Sequence, residues 1–222
     1  MSVFPDAKRV ELAGSEGRDP IALSVHEQGS GPAVVFSHGF PELAYSWRYQ
    51  LPAIADAGFR AIAPDQRGYG HSDRPEAIES HDLVHLCGDL VALLDALEIE
   101  EAVFVGHDWG GFVAWGMPLL HPERTAGVIG VCTPYVPLPP TAVLRALAPD
   151  DPDSLYMLWF QEPGVAEGVM DSQVRMFFEK FLRGGISPEE VEKQRASGGI
   201  TDMNPFRRLA DFRARWLGVI GV

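Results

Sequence analysis

Short apolar runs alternate with amphipathic stretches along the chain from Arg9 to Val131. The runs that predict strands are Arg9–Leu12, Ile21–Glu27, Ala33–Phe36, Arg60–Ala63, Ala102–Val105 and Gly127–Val131. Helical spacing of apolar residues, bounded by turn residues, predicts helices at Ser46–Ala57, Asp82–Leu97 and Gly110–Leu120. Strands that alternate with helices in this way predict an α/β fold built on a mostly parallel sheet.

The strand pattern stops after Val131. Prolines at positions 134, 137, 139 and 140 predict a linker, and apolar spacing beyond it predicts helices at Ser154–Gln161, Ala166–Leu182 and Ser187 to about Arg195. We therefore expect two parts: the N-terminal part of a core over residues 1–137 and a helical lid over residues 138–222.

Composition narrows the classes of partner. The 222 residues are 46% hydrophobic with a formal net charge of −13 and no basic tract, so we expect neither nucleic acid nor an anionic membrane surface as a partner. Residues 1–10 lack a signal-peptide pattern, and no apolar run is long enough to span a bilayer, which predicts a cytoplasmic protein. The two cysteines form no CxxC pair, and neither a metal-binding cluster nor a phosphate-binding glycine loop occurs, so no metal and no cofactor are expected. Nothing in the composition indicates an oligomeric state.

The segment GHDWGG at residues 106–111 directly follows the apolar run Ala102–Val105. A strand that ends in glycine, any residue, a nucleophile, any residue and glycine is the signature of a nucleophile elbow. Gly106, Gly110 and Gly111 leave room for the sharp turn from strand to helix that lifts the central side chain, Asp108, clear of the sheet. The alternative is that Asp108 only caps the following helix.

An aspartate at this position limits the chemistry. A carboxylate that attacks a saturated carbon forms an alkyl ester, which water can later cleave at the carbonyl carbon of the ester. A serine in the same attack would leave an ether, which water does not cleave under mild conditions. Asp108 therefore predicts displacement at a saturated carbon that bears a leaving group, as in an epoxide or an alkyl halide.

A second turn, HGFPE at residues 38–42, follows the apolar run Ala33–Phe36. His38, Gly39 and Pro41 form a tight turn in which a cis peptide bond before Pro41 fits. The turn brings the N–H of Phe40 near the elbow, where it and the N–H of Trp109 form a two-donor oxyanion hole. The alternative is that His38 and Pro41 are turn residues with no further function.

The segment DQRGYGHS at residues 65–72 follows the strand Arg60–Ala63. We interpret it as a tight glycine-containing loop that Asp65 and Arg67 hold in place. The prediction for this loop is structural rather than catalytic.

Five segments together resemble the epoxide hydrolases of the α/β-hydrolase fold: HGFPE, SWRYQLPA, DQRGYGHS, GHDWGG and FQEPGVAE. GHDWGG is shared with haloalkane dehalogenases, whereas HGFPE with FQEPGVAE is more specific to epoxide hydrolases. The resemblance implies that Asp108 is the nucleophile and that Phe40 and Trp109 supply the oxyanion-hole amides. It also implies that Tyr156 is one of two lid tyrosines that hydrogen-bond the epoxide oxygen; otherwise Tyr156 is an ordinary aromatic residue on a buried helix face.

The resemblance implies an epoxide as the substrate, and the aromatic residues described next favour a small hydrophobic one. Aromatic residues, Trp159 among them, indicate an apolar pocket around the nucleophile. The resemblance does not identify the epoxide.

The family pattern also requires a later histidine that activates water against the ester. Among the histidines of the sequence, only His121 comes after Asp108. About a dozen residues of helix separate the two and place His121 roughly 15–20 Å from Asp108, too far to reach the ester. No tyrosine follows Tyr156. We therefore expect a chain truncated within its lid, lacking the C-terminal strands and helices and unable to turn over. A haloalkane dehalogenase and a non-catalytic remnant with an interaction function remain alternatives.

Overall fold

A computed structural model of the chain describes residues 4–15, 17–136, 140–171, 173–175 and 177–178. It divides into two compact units, with the boundary between Tyr135 and Val136. Each unit is described by itself. Among the described residues, no helix combines the length and the apolar character needed to cross a lipid bilayer.

The first unit is built on a six-stranded sheet. Its strands are β1 Ala7–Leu12, β2 Ile21–Gly29, β3 Ala33–Ser37, β4 Arg60–Pro64, β5 Ala102–His107 and β6 Thr125–Val131. The order across the sheet is β1-β2-β4-β3-β5-β6. The first two pairings are antiparallel and the other three are parallel, which confirms the predicted, mostly parallel α/β sheet.

Both faces of the sheet are covered by apolar residues. Along β3, Val35 packs into one buried cluster with residues of α2 (Leu83–Ala96) and α3 (Trp109–Leu120). Its neighbours Val34 and Phe36 pack into a second cluster on the other face. Successive strand residues point to opposite faces, so a strand covered on both faces is apolar throughout.

The helix predicted at Ser46–Ala57 was wrong as a single element. The structure has a 3₁₀ helix at Ala44–Trp47, followed by α1 at Gln50–Asp56. In a 3₁₀ helix, residues three apart lie above one another, so the tighter turn places Ala44 and Trp47 together in the core. Two further 3₁₀ helices lie at Ile78–His81 and Pro122–Arg124.

The second unit is helical where it is described. Its elements are α4 Pro140–Leu147, a 3₁₀ helix at Pro152–Ser154, α5 Tyr156–Trp159 and α6 Val165–Met170. A small apolar cluster of Leu144, Ala148, Leu155 and Leu158 holds α4 against α5.

The predicted lid helices differ from those in the structure. Sequence patterns missed α4, which begins at Pro140, a residue that the first turn of a helix tolerates. The predicted helix Ala166–Leu182 was wrong as one element, because α6 ends at Met170 and the N–H of Gln173 then donates to the Met170 carbonyl in a turn. The polar residue Asp171 stands at this break, and aspartate favours turns over helix interiors. The predicted helix at Ser187 lies outside the described residues.

Candidate active site

Asp108 connects the end of β5 to the start of α3. Its backbone has φ 52° and ψ −121°, a region that non-glycine residues rarely adopt and that costs about 1–3 kcal/mol. Asp108 stands at the N-cap position of α3, yet its side chain makes no capping hydrogen bond. The alternative that Asp108 only caps the helix therefore does not describe this residue.

The glycines of the elbow stand where backbone segments approach each other closely. A Cβ on Gly106 would overlap the carbonyl oxygen of Gly110, and a Cβ on Gly110 would overlap the carbonyl oxygen of Ser37. A Cβ on Gly111 would lie 2.5 Å from the Cβ of Thr133. The strand-to-helix turn therefore closes only with glycine at these positions.

The carboxylate of Asp108 faces the HGFPE turn. The N–H of Phe40 donates to Asp108 Oδ1 at 3.0 Å, and a Cβ on Gly39 would lie 2.5 Å from the Asp108 Cβ. Asp108 Oδ2 accepts no hydrogen bond from the residues that the structure describes. The two predicted partners Phe40 and Asp108 are thus brought together by a hydrogen bond to one carboxylate oxygen, Oδ1.

The N–H of Trp109, the second predicted oxyanion donor, does not donate to the Asp108 carboxylate. Trp109 is the first residue of α3, and the N–H groups of a first helical turn have no partner within the helix. The positive end of the helix dipole lies at the same place, which favours negative charge there.

His38 is a buried neutral imidazole that holds the HGFPE turn. The backbone N–H of Gln66 donates to His38 Nε2 at 3.0 Å, so the ring proton lies on Nδ1 and donates to the Gly39 carbonyl at 2.9 Å. Burial lowers the pKa of His38, which keeps this arrangement in the neutral form. The peptide bond between Phe40 and Pro41 is cis, as predicted. Gln66, which sequence patterns did not single out, also donates its side-chain amide to the His38 carbonyl at 2.5 Å.

The loop at residues 65–72 is held as predicted by Asp65 and Arg67. Asp65 Oδ1 accepts the backbone N–H of Ala44 at 2.9 Å. Arg67 is buried and pairs with both carboxylate oxygens of Asp89, a residue of α2. The loop is thereby tied to the 3₁₀ helix before α1 on one side and to α2 on the other.

Tyr69, in the same loop, lies close enough to Asp108 for the negative charge of that carboxylate to affect its pKa. Its ring packs edge-on against His38, with 4.9 Å between ring centroids. Burial, together with the negative charge of Asp108, raises the pKa of Tyr69 to about 12. The phenol therefore stays protonated at neutral pH.

Two further polar contacts at the elbow were missed from the sequence. His107 Nδ1 lies 3.1 Å from Glu42 Oε2, which links the HGFPE turn to the end of β5. The hydroxyl of Thr133 donates to the carbonyl of Asp108 at 2.9 Å. Glu42 and His107 stand inside recognisable motifs, whereas nothing in the sequence around Thr133 indicates its contact.

The remaining predicted residues lie apart from this cluster or in the second unit. Tyr156 begins α5 half-buried, with its ring edge-on to Phe160 at 5.6 Å, and Trp159 is buried at the end of the same helix. Their roles in the reaction stay predictions. His121 follows the last residue of α3, so the 12-residue helix separates it from Asp108. Among the described residues, no group of three or more His, Cys, Asp or Glu side chains is arranged to hold a metal ion.

Comparisons with known proteins identify the fold family. Residues 32–191 match the model of the alpha/beta hydrolase fold family. The chain is 47% identical over 173 residues to epoxide hydrolase A of Mycobacterium tuberculosis, covering 76% of this chain and 53% of that protein. It is 42% identical over 191 residues to bifunctional epoxide hydrolase 2 of Mus musculus, covering 83% of this chain and 34% of that protein.

Solved structures give the same result. The crystal structure of epoxide hydrolase A from Mycobacterium thermoresistibile matches with a TM-score of 0.75 and 44% identity, covering 86% of this chain and 59% of that one. Epoxide hydrolase VrEH1 from Vigna radiata matches with a TM-score of 0.70 and 36% identity, covering 92% of this chain and 71% of that one. The chain spans about half the length of the curated bacterial relative. The matched residues, the sheet and the elbow together show that this chain belongs to the alpha/beta hydrolase fold family, and that its relatives there include proteins named epoxide hydrolases.

Proposed function

We propose that this chain has the chemistry of an epoxide hydrolase, in which Asp108 is the nucleophile that opens the ring. The supporting observation is the Asp108 carboxylate, raised on a strained elbow with no capping bond and held through Oδ1 by the N–H of Phe40. The names of the relatives support an epoxide as the substrate class. A small hydrophobic epoxide is the substrate we expect.

In the first step, Asp108 Oδ2 attacks a ring carbon of the epoxide. A bond forms between Oδ2 and this carbon while the bond from the carbon to the epoxide oxygen breaks, and its electron pair stays on that oxygen. The resulting alkoxide takes a proton from a phenol, for which we propose Tyr156 of α5. We assign Trp159 to the apolar wall of the pocket. The product is an alkyl ester of Asp108 that carries a hydroxyl on the neighbouring carbon.

In the second step, water attacks Cγ of this ester and gives up a proton to a base. The bond between Cγ and Oδ2 then breaks, the diol leaves with Oδ2 and takes a proton, and the water oxygen completes the restored carboxylate. The carbonyl oxygen of the ester is Oδ1, the atom that already accepts the N–H of Phe40. Negative charge that develops on Oδ1 is stabilised by this donor and by the N–H of Trp109 at the start of α3. The N–H of Phe40 that holds Oδ1 during the first step thus also stabilises the oxyanion that forms on Oδ1 in the second step.

The second step requires a base near Cγ. In the family pattern this base is a histidine that follows the nucleophile in the chain, and His121, the histidine that follows Asp108, lies at the far end of α3. His38 does not serve either, because its Nε2 already accepts the N–H of Gln66. We therefore expect a polypeptide of these 222 residues to form the alkyl ester and to release it slowly.

Mass spectrometry tests this proposal directly. We would incubate the 222-residue polypeptide with styrene oxide and measure its intact mass, then map the modified peptide. The expected result is one added epoxide per chain, located at Asp108 and absent in Asp108→Asn. Asp56→Asn, which changes an exposed aspartate at the end of α1, serves as the matched control and should be modified like the wild type.

Three outcomes contradict parts of the proposal. Lack of an adduct, or an adduct that persists in Asp108→Asn, refutes Asp108 as the nucleophile. Sustained diol production by the same polypeptide refutes the expected arrest at the ester. Faster ester formation from a bromoalkane of similar size, with bromide release, would identify a haloalkane dehalogenase instead.

A further inference from the structure

Thr133 lies at the carboxyl end of β6, against the nucleophile elbow. Thr133 is 6% exposed, and its hydroxyl donates to the carbonyl oxygen of Asp108 at 2.9 Å. The Val131 carbonyl lies farther from the same hydroxyl, at 3.5 Å. A hydroxyl has one proton, so the shorter contact with Asp108 takes it.

The Asp108 carbonyl thus accepts two hydrogen bonds. The second comes from the N–H of Gly111 at 2.9 Å, within the first turn of α3. Strained backbone persists only where its surroundings hold it, and φ 52° with ψ −121° at Asp108 is such a conformation. The Thr133 hydroxyl is the one side-chain donor that the described residues direct at this carbonyl.

The carbonyl of Asp108 and the N–H of Trp109 belong to one peptide group. A peptide group is planar, and in the trans form its C=O and N–H point in opposite directions. The cis bond among the described residues is Phe40–Pro41, so the Asp108–Trp109 bond is trans. A hydrogen bond that fixes the carbonyl on one side therefore also fixes the direction of the Trp109 N–H on the other.

We infer that Thr133 is a positioning residue, which holds the Asp108–Trp109 peptide plane so that the Trp109 N–H is directed at the oxyanion site. Thr133 touches no reacting atom and acts through this plane. The inference rests on the proposed function, because the oxyanion on Oδ1 belongs to that mechanism.

The segment that carries Thr133 is itself held in place. The indole N–H of Trp115, on α3, donates to the Thr133 carbonyl at 2.9 Å. A Cβ on Gly130 would lie 2.7 Å from the Trp115 indole nitrogen and 2.6 Å from the Thr133 carbonyl oxygen, so the packing there is close. The hydroxyl is therefore presented from a rigid support.

The test uses the ester itself. Hydroxylamine attacks Cγ of the preformed alkyl ester, forms an oxyanion on Oδ1 and expels the diol, which takes a proton and leaves a hydroxamate at Asp108. This reaction needs no histidine, and its rate reports stabilisation of the oxyanion. Intact-mass measurement after adding hydroxylamine to the styrene oxide adduct follows the loss of the diol portion.

Thr133→Val keeps the shape and removes the donor, whereas Thr133→Ser keeps the donor. Thr125→Val is the matched control, because the Thr125 hydroxyl donates to the His121 carbonyl at 2.9 Å from the other end of β6. Complete removal of an oxyanion donor costs roughly 10²–10³-fold in rate, and misdirection should cost less. We expect Thr133→Val to slow ester cleavage about tenfold, with Thr133→Ser and Thr125→Val within about twofold of the wild type.

Crystal structures of the wild type and Thr133→Val supply a second readout that needs no activity. The Asp108–Trp109 peptide plane should rotate in Thr133→Val and stay in place in Thr133→Ser. Unchanged cleavage rates in Thr133→Val, equal slowing in Thr133→Ser, or an unrotated plane each overturn the inference. A wild type that forms no ester refutes the proposed function instead, and the crystal structures then decide on Thr133 alone.

Discussion

Replacing Asp89 by asparagine removes the charge that holds a buried arginine. Arg67 is 2% exposed and donates Nε and Nη2 to Asp89 at 2.6 and 2.5 Å, and Arg18 Nη1 donates to the same carboxylate at 3.0 Å. An asparagine keeps one acceptor oxygen and turns an NH₂ group toward the guanidinium donors. Loss of one partner from a buried ion pair costs about 3–5 kcal/mol, because the other charge stays desolvated. With one acceptor kept, we expect Asp89→Asn to lower the free energy of unfolding by about 3 kcal/mol.

Asp95→Asn is the control, since it makes the same change on the same helix. Asp95 pairs with Arg124 at 2.8 Å at a solvent-exposed position, and such pairs contribute about 0–1 kcal/mol. Urea unfolding of the wild type and both variants, with linear extrapolation to water, gives the free energies. A difference below about 1 kcal/mol between Asp89→Asn and Asp95→Asn would refute the assignment of Asp89 as a buried anchor of the loop at residues 65–72.

Three other results follow from the burial of titratable groups. A thiol reagent should modify one cysteine in the native chain, the exposed Cys132, and both only after unfolding, because Cys87 is buried and burial raises its pKa to about 12; two rapid modifications would contradict the packing of Cys87. Burial and the Asp108 charge raise the pKa of Tyr69 from 10.0 to about 12, so the phenol ionises at lower pH in the unfolded chain than in the folded one. The free energy of unfolding should therefore fall as pH rises from 10 to about 12, and it should fall less steeply in Tyr69→Phe. Burial lowers the pKa of His38 below 6.5, so as pH falls the imidazole is protonated in the unfolded chain before it is protonated in the folded one. Thermal stability should therefore fall as pH drops below 6.5, and the fall should be shallower in His38→Gln.

Local patterns predicted the sheet and the elbow well. The all-apolar run Ala33–Phe36 indicated a strand covered on both faces, and β3 is buried along its whole length. The glycines around Asp108 indicated close backbone approach, and a Cβ at Gly106 or Gly110 would meet a carbonyl oxygen. In both cases the information lies within a few neighbouring residues, which is the range over which periodicity and turn chemistry act.

Prediction was weaker where burial overrides local preference. The stretch Ser46–Ala57 has helical spacing, but packing of Trp47 and Ala44 into the core splits it into a 3₁₀ turn and α1. Proline at position 140 indicated a linker, although α4 begins there and packs Leu144 against the cluster of Leu155 and Leu158. Neither outcome follows from the segment alone, because its neighbours in space supply the deciding contacts.

The amino-acid sequence alone places an aspartate at a strand-to-helix turn, and that residue type is the basis of our proposal of a carboxylate nucleophile. Which groups surround it depends on the packing of segments far apart in sequence. Phe40 donates to Asp108 across 68 residues, Thr133 across 25, and Gln66 binds His38 across 28. Parallel strands bring their carboxyl ends to one edge of the sheet whatever their separation along the chain, so no spacing in the sequence records these partners.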